Sequence, residues 1–132
     1  MNHLSFRSIT DDLNGLSFEL LIDGKPLTEA VGCDYSSIPY WLVEGDLLAT
    51  NEMPSSLAVC NRIVAVCSCG EFGCGGAHAR VTKNSDTVKF SDFAGDIQSG
   101  VRDETFVFTR SNYDEVVRQM TELGIQYRTQ RY

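Results

Sequence analysis

Three of the five cysteines and one of the two histidines lie within twelve residues, Cys67-Ser68-Cys69-Gly70-Glu71-Phe72-Gly73-Cys74-Gly75-Gly76-Ala77-His78. Thiolate sulfur and imidazole nitrogen are zinc ligands, and a structural zinc takes four of them in a closed tetrahedron. Cys67, Cys69, Cys74 and His78 would supply those four at C-x-C-x4-C-x3-H spacing. Glycines at 70, 73, 75 and 76 permit the positive φ values needed to wrap a chain around one ion. The spacing is not that of a finger, ribbon or knuckle, and two other readings stand beside one bound zinc. A pair of these cysteines could form a reversible disulfide, although no C-x-x-C at a helix N-terminus, the usual context for a lowered thiolate pKa, is present. Alternatively, the cysteines only pack a tight glycine hairpin, with no cofactor at all. His78 alternates with Ala77 and Ala79, so on a strand it faces away from the core.

The segment from Ile63 to Phe93 carries a resemblance. Its turn Cys67-Ser68-Cys69-Gly70-Glu71-Phe72-Gly73-Cys74 is followed by Ala79-Arg80-Val81 and then by Val88-Lys89-Phe90-Ser91-Asp92-Phe93. This resembles a family of small bacterial proteins that share a strand, a C-x-C-G-x-x-G-C turn and a strand ending in Arg-Val or Arg-Ile. An aromatic Val-x-Trp-x-x-Phe-like strand follows in that family, with Phe90 here in the tryptophan position. The family pattern has no histidine at the place of His78. The resemblance covers about a quarter of the chain and implies a layout, a hairpin before and a helix after, but no activity.

Other chemistry is sparse. Nucleophilic catalysis by cysteine needs a neighbouring base; Cys74 and His78 are the available pair, and no acid stands ready to orient the histidine. Asp92, Asp96, Asp103 and Glu104 are scattered over turn-like segments. Gly70-x-x-Gly73 is not a phosphate loop, because no helix follows it. Trp41, Tyr40 and Tyr35 read either as an aromatic binding patch or as core and rim. No complete catalytic set emerges, and the reading leans away from an enzyme.

The elements that position these residues read as strands first and a helix last. Leu4, Phe6 and Ser8 alternate with Ser5 and Arg7 over His3 to Ile9, and Leu16 to Ile22 alternates in turn, with Asn14-Gly15 between them, which predicts an N-terminal hairpin. Asp23-Gly24-Lys25-Pro26 closes the second strand. Thr28 to Val31 suits a helical turn, Pro39 to Val43 is apolar enough for burial, and Leu47 to Thr50 suits a short strand or helical piece. The region 27–56 is otherwise unassigned. Leu57 to Ser68 is β-prone, and Ala77 to Lys83 and Thr87 to Phe93 extend it to a three-stranded meander. Thr105 to Thr109 is a last strand. Ser111 then suits an N-cap, with Asp114 and Glu115 in the first turn. Tyr113, Val116, Val117, Met120 and Leu123 share one helix face, and Gly124 reads as the helix stop. Residues 125–132 read as a polar tail able to pair as a short strand. The fold class is therefore α+β: an antiparallel sheet of about five to seven strands with one C-terminal helix packed on it.

The bulk numbers set the class of partner. The 132 residues suit one domain, 1–132, and 42% hydrophobic content suits a folded chain. No apolar run approaches the roughly 18 residues of a membrane span, and the N-terminus lacks the layout of a signal peptide. These features, with an odd cysteine count, predict a reducing, cytoplasmic setting. The net charge of −7 is uneven: residues 1–61 hold nine acidic and two basic side chains, residues 62–132 nine of each. No basic footprint for nucleic acid is visible, whereas acids steer toward basic partners or simply keep a surface soluble. The expected function is a non-catalytic binding protein with a protein partner, in its most concrete form an immunity or antitoxin protein that covers a basic toxin domain. Asp11, Asp12, Asp34, Glu44 and Asp46 are the candidate acids, with Tyr35 and Tyr40 as anchors. The alternative is a structural zinc or thiol-redox module at Cys67 to Cys74. The zinc reading predicts, in native mass spectrometry, the added mass of one zinc that is lost on Cys69→Ser; a bare mass in both proteins overturns it.

Overall fold

The computed structural model describes residues 1–11, 15–50, 59–67, 75–96 and 104–131. Strands β1 (Leu4–Asp11) and β2 (Gly15–Ile22) form the expected hairpin, paired without interruption from Leu4↔Ile22 to Asp11↔Gly15. A turn at Asp23-Gly24, both at positive φ, leads to β3 (Lys25–Pro26) against the end of β2 and to the single turn α1 (Leu27–Ala30). The short β4 (Ser37–Pro39) runs into a 3₁₀ turn, Tyr40–Leu42. The meander is β5 (Val59–Val66), β6 (Gly76–Lys83) and β7 (Thr87–Gly95), followed by β8 (Phe106–Thr109) and α2 (Arg110–Arg131).

All neighbours in the sheet are antiparallel, in the order β1-β2-β4-β5-β6-β7-β8 with β3 on the end of β2. The sheet curls until its two ends almost meet. Asn2 makes the junction: its N–H donates to Val107 O at 2.8 Å, and its Oδ1 accepts the Val107 N–H at 2.9 Å. The result is a nearly closed barrel with α2 packed against it, as the α+β reading expects. Eight strands lie among the described residues, where about five to seven are expected. β3, read as part of the turn that closes the second strand, and β4, in the unassigned region, are two and three residues long, too short for alternation to register.

Inward residues follow the period-two pattern until a bulge resets it. Arg80 pairs with Ser91 and His78 with Ala94, so Asp92 and Phe93 together face Ala79. Asp92 takes the left-handed conformation, φ 49°, and Phe93 instead of Asp92 turns into the core behind Val88 and Phe90. A second irregularity lies between Ile63 and Ala65 on β5.

The helix departs from expectation at both ends. It begins at Arg110, and Thr109 is the cap: its hydroxyl accepts the Asn112 N–H at 3.1 Å, the bond an N-cap makes three residues on. Asp114 and Glu115 therefore lie beyond the first turn. At the other end Gly124 does not stop the helix, and residues 125–131 are helical instead of a strand. Tyr127 continues the packed face: its ring lies 5.2 Å from that of Tyr40, and its hydroxyl reaches Gly15 at the hairpin turn. A glycine costs a helix about 1 kcal/mol relative to alanine, less than the roughly 1.5–3 kcal/mol gained by covering a large apolar side chain.

Two glycines that look alike in sequence therefore differ in consequence. Gly15 has φ +68°, and a Cβ there would lie 2.1 Å from the Tyr127 hydroxyl oxygen. Gly124 would place a Cβ 3.5 Å from Tyr40 Cβ, an ordinary contact. We expect Gly124→Ala to stabilise the fold by about 0.5–1 kcal/mol in chemical denaturation, and Gly15→Ala to destabilise it by at least roughly 1–2 kcal/mol. Equal effects of the two substitutions would refute this assignment of their roles.

Candidate protein-binding face and the ionic clamp beneath it

The segment 43–47 is a miniature hairpin. Val43 bridges Leu47, Gly45 turns the chain at φ +79°, and the Gly45 N–H donates to Thr121 Oγ1 on α2 at 2.9 Å. This places Asp46 over the end of the barrel. Its Oδ1 accepts the Leu47 N–H at 2.8 Å and the Tyr113 hydroxyl, and its Oδ2 pairs with Lys83 Nζ. Arg62 Nη2 lies 3.5 Å from the same Oδ2, and Arg62 Nη1 donates to Leu47 O at 2.8 Å. The Lys83 ammonium also sits 5.1 Å from the centre of the Tyr113 ring. Arg62 and Tyr113 are each only 1% exposed.

One carboxylate thus joins the hairpin, β5, β6 and α2. Asp46, a candidate partner-binding acid on sequence, is engaged by four groups of its own chain, and the arrangement is a structural clamp. Arg62, Lys83 and Tyr113 were not expected to meet there. The available signal was Arg62 itself, a lone cation within the β-prone run from Leu57 to Ser68, since charges are almost never fully buried unless paired.

The other candidates separate into groups. Tyr40 and Glu44 come together beside α2, in a cleft of about 300 Å³ also lined by Val43, Thr121, Gly124, Ile125 and Arg128. The Arg128 guanidinium stands 5.6 Å from the Tyr40 ring centre and 3.7 Å from Glu44 Oε1. On the other side of Glu44 a second cleft is lined by Trp41, Leu42, Leu48 and Ala49, with Asp46 and Arg62 at its floor. Trp41 is 39% exposed, Leu48 49% and Ile125 57%. Trp41 stands edge-on to Tyr40, with ring centres 5.3 Å apart. Of the Pro39–Val43 stretch read as buried, Pro39 and Val43 are buried, Tyr40 and Leu42 half-buried, and Trp41 is exposed.

Asp34 and Tyr35 lie apart from this face, beside Asp96 and Gly75. The Asp34 N–H donates to Asp96 O at 2.9 Å, and Asp96 Oδ2 accepts the Gly76 N–H at 2.7 Å. A Cβ on Gly75 would come within 3.0 Å of the Tyr35 ring, so the glycine leaves room for that ring. Asp11 ends β1 opposite Gly15; Asp12 lies outside the described residues.

Of the four candidate zinc ligands, Cys69 and Cys74 also lie outside the described residues. The Cys67 N–H donates to Gly75 O at 2.9 Å, continuing the Val66↔Gly76 register. Strand alternation then puts Cys67 on the face of Ala77 and Ala79 and His78 on the opposite face. Among the described residues no three metal-ligating side chains cluster. Burial lowers the His78 pKa and favours the neutral imidazole. No helix among the described residues is long and apolar enough to cross a membrane. No family model, curated protein or solved structure matches the chain.

The clamp predicts an alkaline limit to stability. Burial first, and the Asp46 carboxylate second, push the Tyr113 phenol well above its ordinary value of 10.0. Burial and then Asp34 push the Cys33 thiol from 9.0 up to about 12. The unfolded chain loses these protons near their ordinary values while the folded chain keeps them. Their stabilising effect is therefore complete below about pH 9 and is lost as pH rises through the folded values. We expect stability to fall above pH 9 and the fall to be shallower in Tyr113→Phe; an unchanged alkaline slope in that variant refutes the attribution. Asp46→Ala, which removes the carboxylate facing buried Arg62, is expected to cost roughly 3 kcal/mol at neutral pH.

Proposed function

We propose that this protein is a non-catalytic binding protein whose partner is another protein with a basic surface, in the manner of an immunity or antitoxin protein that covers a toxin domain. The observation that carries the reading is the exposure of Trp41, Leu48 and Ile125 around Glu44, on the two clefts that Glu44 shares. Large apolar side chains exposed together are uncommon on a surface that serves only solubility. Tryptophan, tyrosine and arginine are the usual anchors of a protein interface, set in a polar rim. Tyr40, Trp41 and Arg128 supply these types, and Glu44 supplies an acid at their centre.

The acidic balance supports a basic partner. The whole chain carries −7, and the face belongs to the acidic part of the sequence, residues 1–61, apart from its α2 wall. Charge of this kind mainly speeds encounter and rejects wrong partners, while the desolvated aromatic anchors carry affinity. The ionic clamp beneath keeps the 40–48 segment preorganised, so little ordering entropy opposes binding.

The test is capture from the cells of origin by the protein carrying a photo-cross-linker at Leu48, in parallel with the double variant Trp41→Ala, Ile125→Glu. We expect a basic protein whose capture weakens with salt and whose affinity falls about 30-fold or more in the variant, the loss of one hot spot of about 2 kcal/mol. Capture of the same protein equally by both forms, or of none by the unaltered face, overturns the proposal.

A further inference from the structure

The two end strands of the sheet are treated differently. The outer edge of β8 is sealed by Asn2, which meets both the N–H and the C=O of Val107. The outer edge of β1 is sealed only at its start. Asn112 Oδ1 accepts the Leu4 N–H at 2.7 Å, and Asn112 Nδ2 donates to Leu4 O at 2.8 Å. Since both main-chain groups of Leu4 point away from β2, those of Phe6, Ser8 and Thr10 do so too, because antiparallel pairing alternates. The β1–β2 register is unbroken along this length, and His3 O, which accepts the Asp23 N–H, confirms the phase.

No hydrogen bond among the described residues engages the outward N–H or C=O of Phe6, Ser8 or Thr10. Ser8 and Thr10 are exposed, while Phe6 is half-buried and shares a cleft with Glu115, Val116 and Gln119 of α2, so the helix stands beside the start of this edge and leaves Ser8 and Thr10 uncovered. Natural edge strands are usually blunted by a proline, a bulge, inward charge or a covering element. Between Phe6 and Thr10 there is no proline and no bulge, and the single charge, Arg7, is held by Glu19 on β2.

We propose that this edge pairs with a second copy of the chain, β1 against β1 antiparallel about a two-fold axis through Ser8. A row of alternating main-chain donors and acceptors is complemented only by another extended strand. The open set is symmetric about Ser8, so the two-fold arrangement uses all of it. Ser8 exchanges bonds with Ser8 of the second copy, and Phe6 with Thr10 in both directions; at two bonds for each of the three pairings this makes six. Moving the axis to Phe6 would instead oppose Leu4, which Asn112 already occupies, to the open Ser8. Side chains agree with the register. Arg7 falls opposite Ile9, so no like charges meet despite the net charge of −7, and the paired Ser8 hydroxyls can bond to each other. Such an interface is isologous and closes at two copies.

The test is the solution mass of the unmodified protein across a wide concentration range, by light scattering and sedimentation, joined to amide exchange. We expect a concentration-dependent shift from 14.6 kDa to twice that mass. The amides of Phe6, Ser8 and Thr10 should gain protection in the dimer alone. Ser8→Pro removes one outward N–H, which an edge strand tolerates, and is expected to return the protein to monomer. Ser8→Lys, which sets two cations face to face at the axis without disturbing β1–β2 pairing, is expected to do the same. A monomer at every concentration, or a dimer that persists in both variants, overturns the proposal.

Discussion

Arg62 is almost wholly buried, 1% exposed. Its side chain is drawn into the end of a nearly closed barrel, on a strand whose neighbours Ile63, Val64, Ala65 and Val66 are all buried. A guanidinium so placed must find an anion and hydrogen-bond acceptors nearby, because desolvating an unpaired charge costs several kcal/mol. Asp46 and the Leu47 carbonyl meet that demand together. They can do so only if the 43–47 segment lies against β5, and further main-chain bonds hold it there: Ile63 N–H to Leu48 O at 2.8 Å and Thr50 N–H to Asn61 O at 2.9 Å. A burial requirement of one residue thereby orders a connection that has little regular structure of its own.

The same carboxylate reaches the helix through Tyr113, and Thr121 meets the hairpin from the other side. Helix position is therefore set twice: by the apolar stripe of Val116, Val117 and Met120, which is not specific in register, and by polar contacts, which are. Farther along, Tyr127 against Gly15 and Asn112 on Leu4 tie α2 to the two ends of β1. An ion pair of this kind adds little stability over a well-packed apolar replacement. Its effect is to make one arrangement of loop, sheet and helix much better than its neighbours.

That arrangement has a consequence at the surface. The clamp faces inward, and the residues alternating with it face out. Trp41, Glu44 and Leu48 are presented by a segment whose main chain is tied to β5 and α2 by hydrogen bonds. The proposed binding residues would thus sit on a loop held by its own inward-facing acid, as loops on a scaffold commonly carry function. The sheet edge at β1 is a separate surface with a different chemistry, main-chain groups instead of side chains.

Much of the fold was legible in the residues themselves. The alternation of Leu16 to Ile22, the β-prone run around Ile63, the alanines of β6 and the stripe Tyr113–Val116–Val117–Met120 all report local periodicity, and local periodicity is what a strand or helix turns into burial. The candidate face was legible in part: Tyr40 and Glu44 lie in it, while Asp34 and Tyr35 lie beside Asp96 and Gly75 and Asp46 turns inward. What the sequence could not decide were the features that depend on residues far apart. Gly124 has the type of a helix stop and Asp46 the type of a surface acid; Tyr40 packed on the one, and Arg62, Lys83 and Tyr113 gathered on the other, gave them different roles. Periodicity is a property of neighbours along the chain and can be read there, whereas a side chain's partners are chosen by the tertiary fold, which brings together residues separated by 16, 37 and 67 positions.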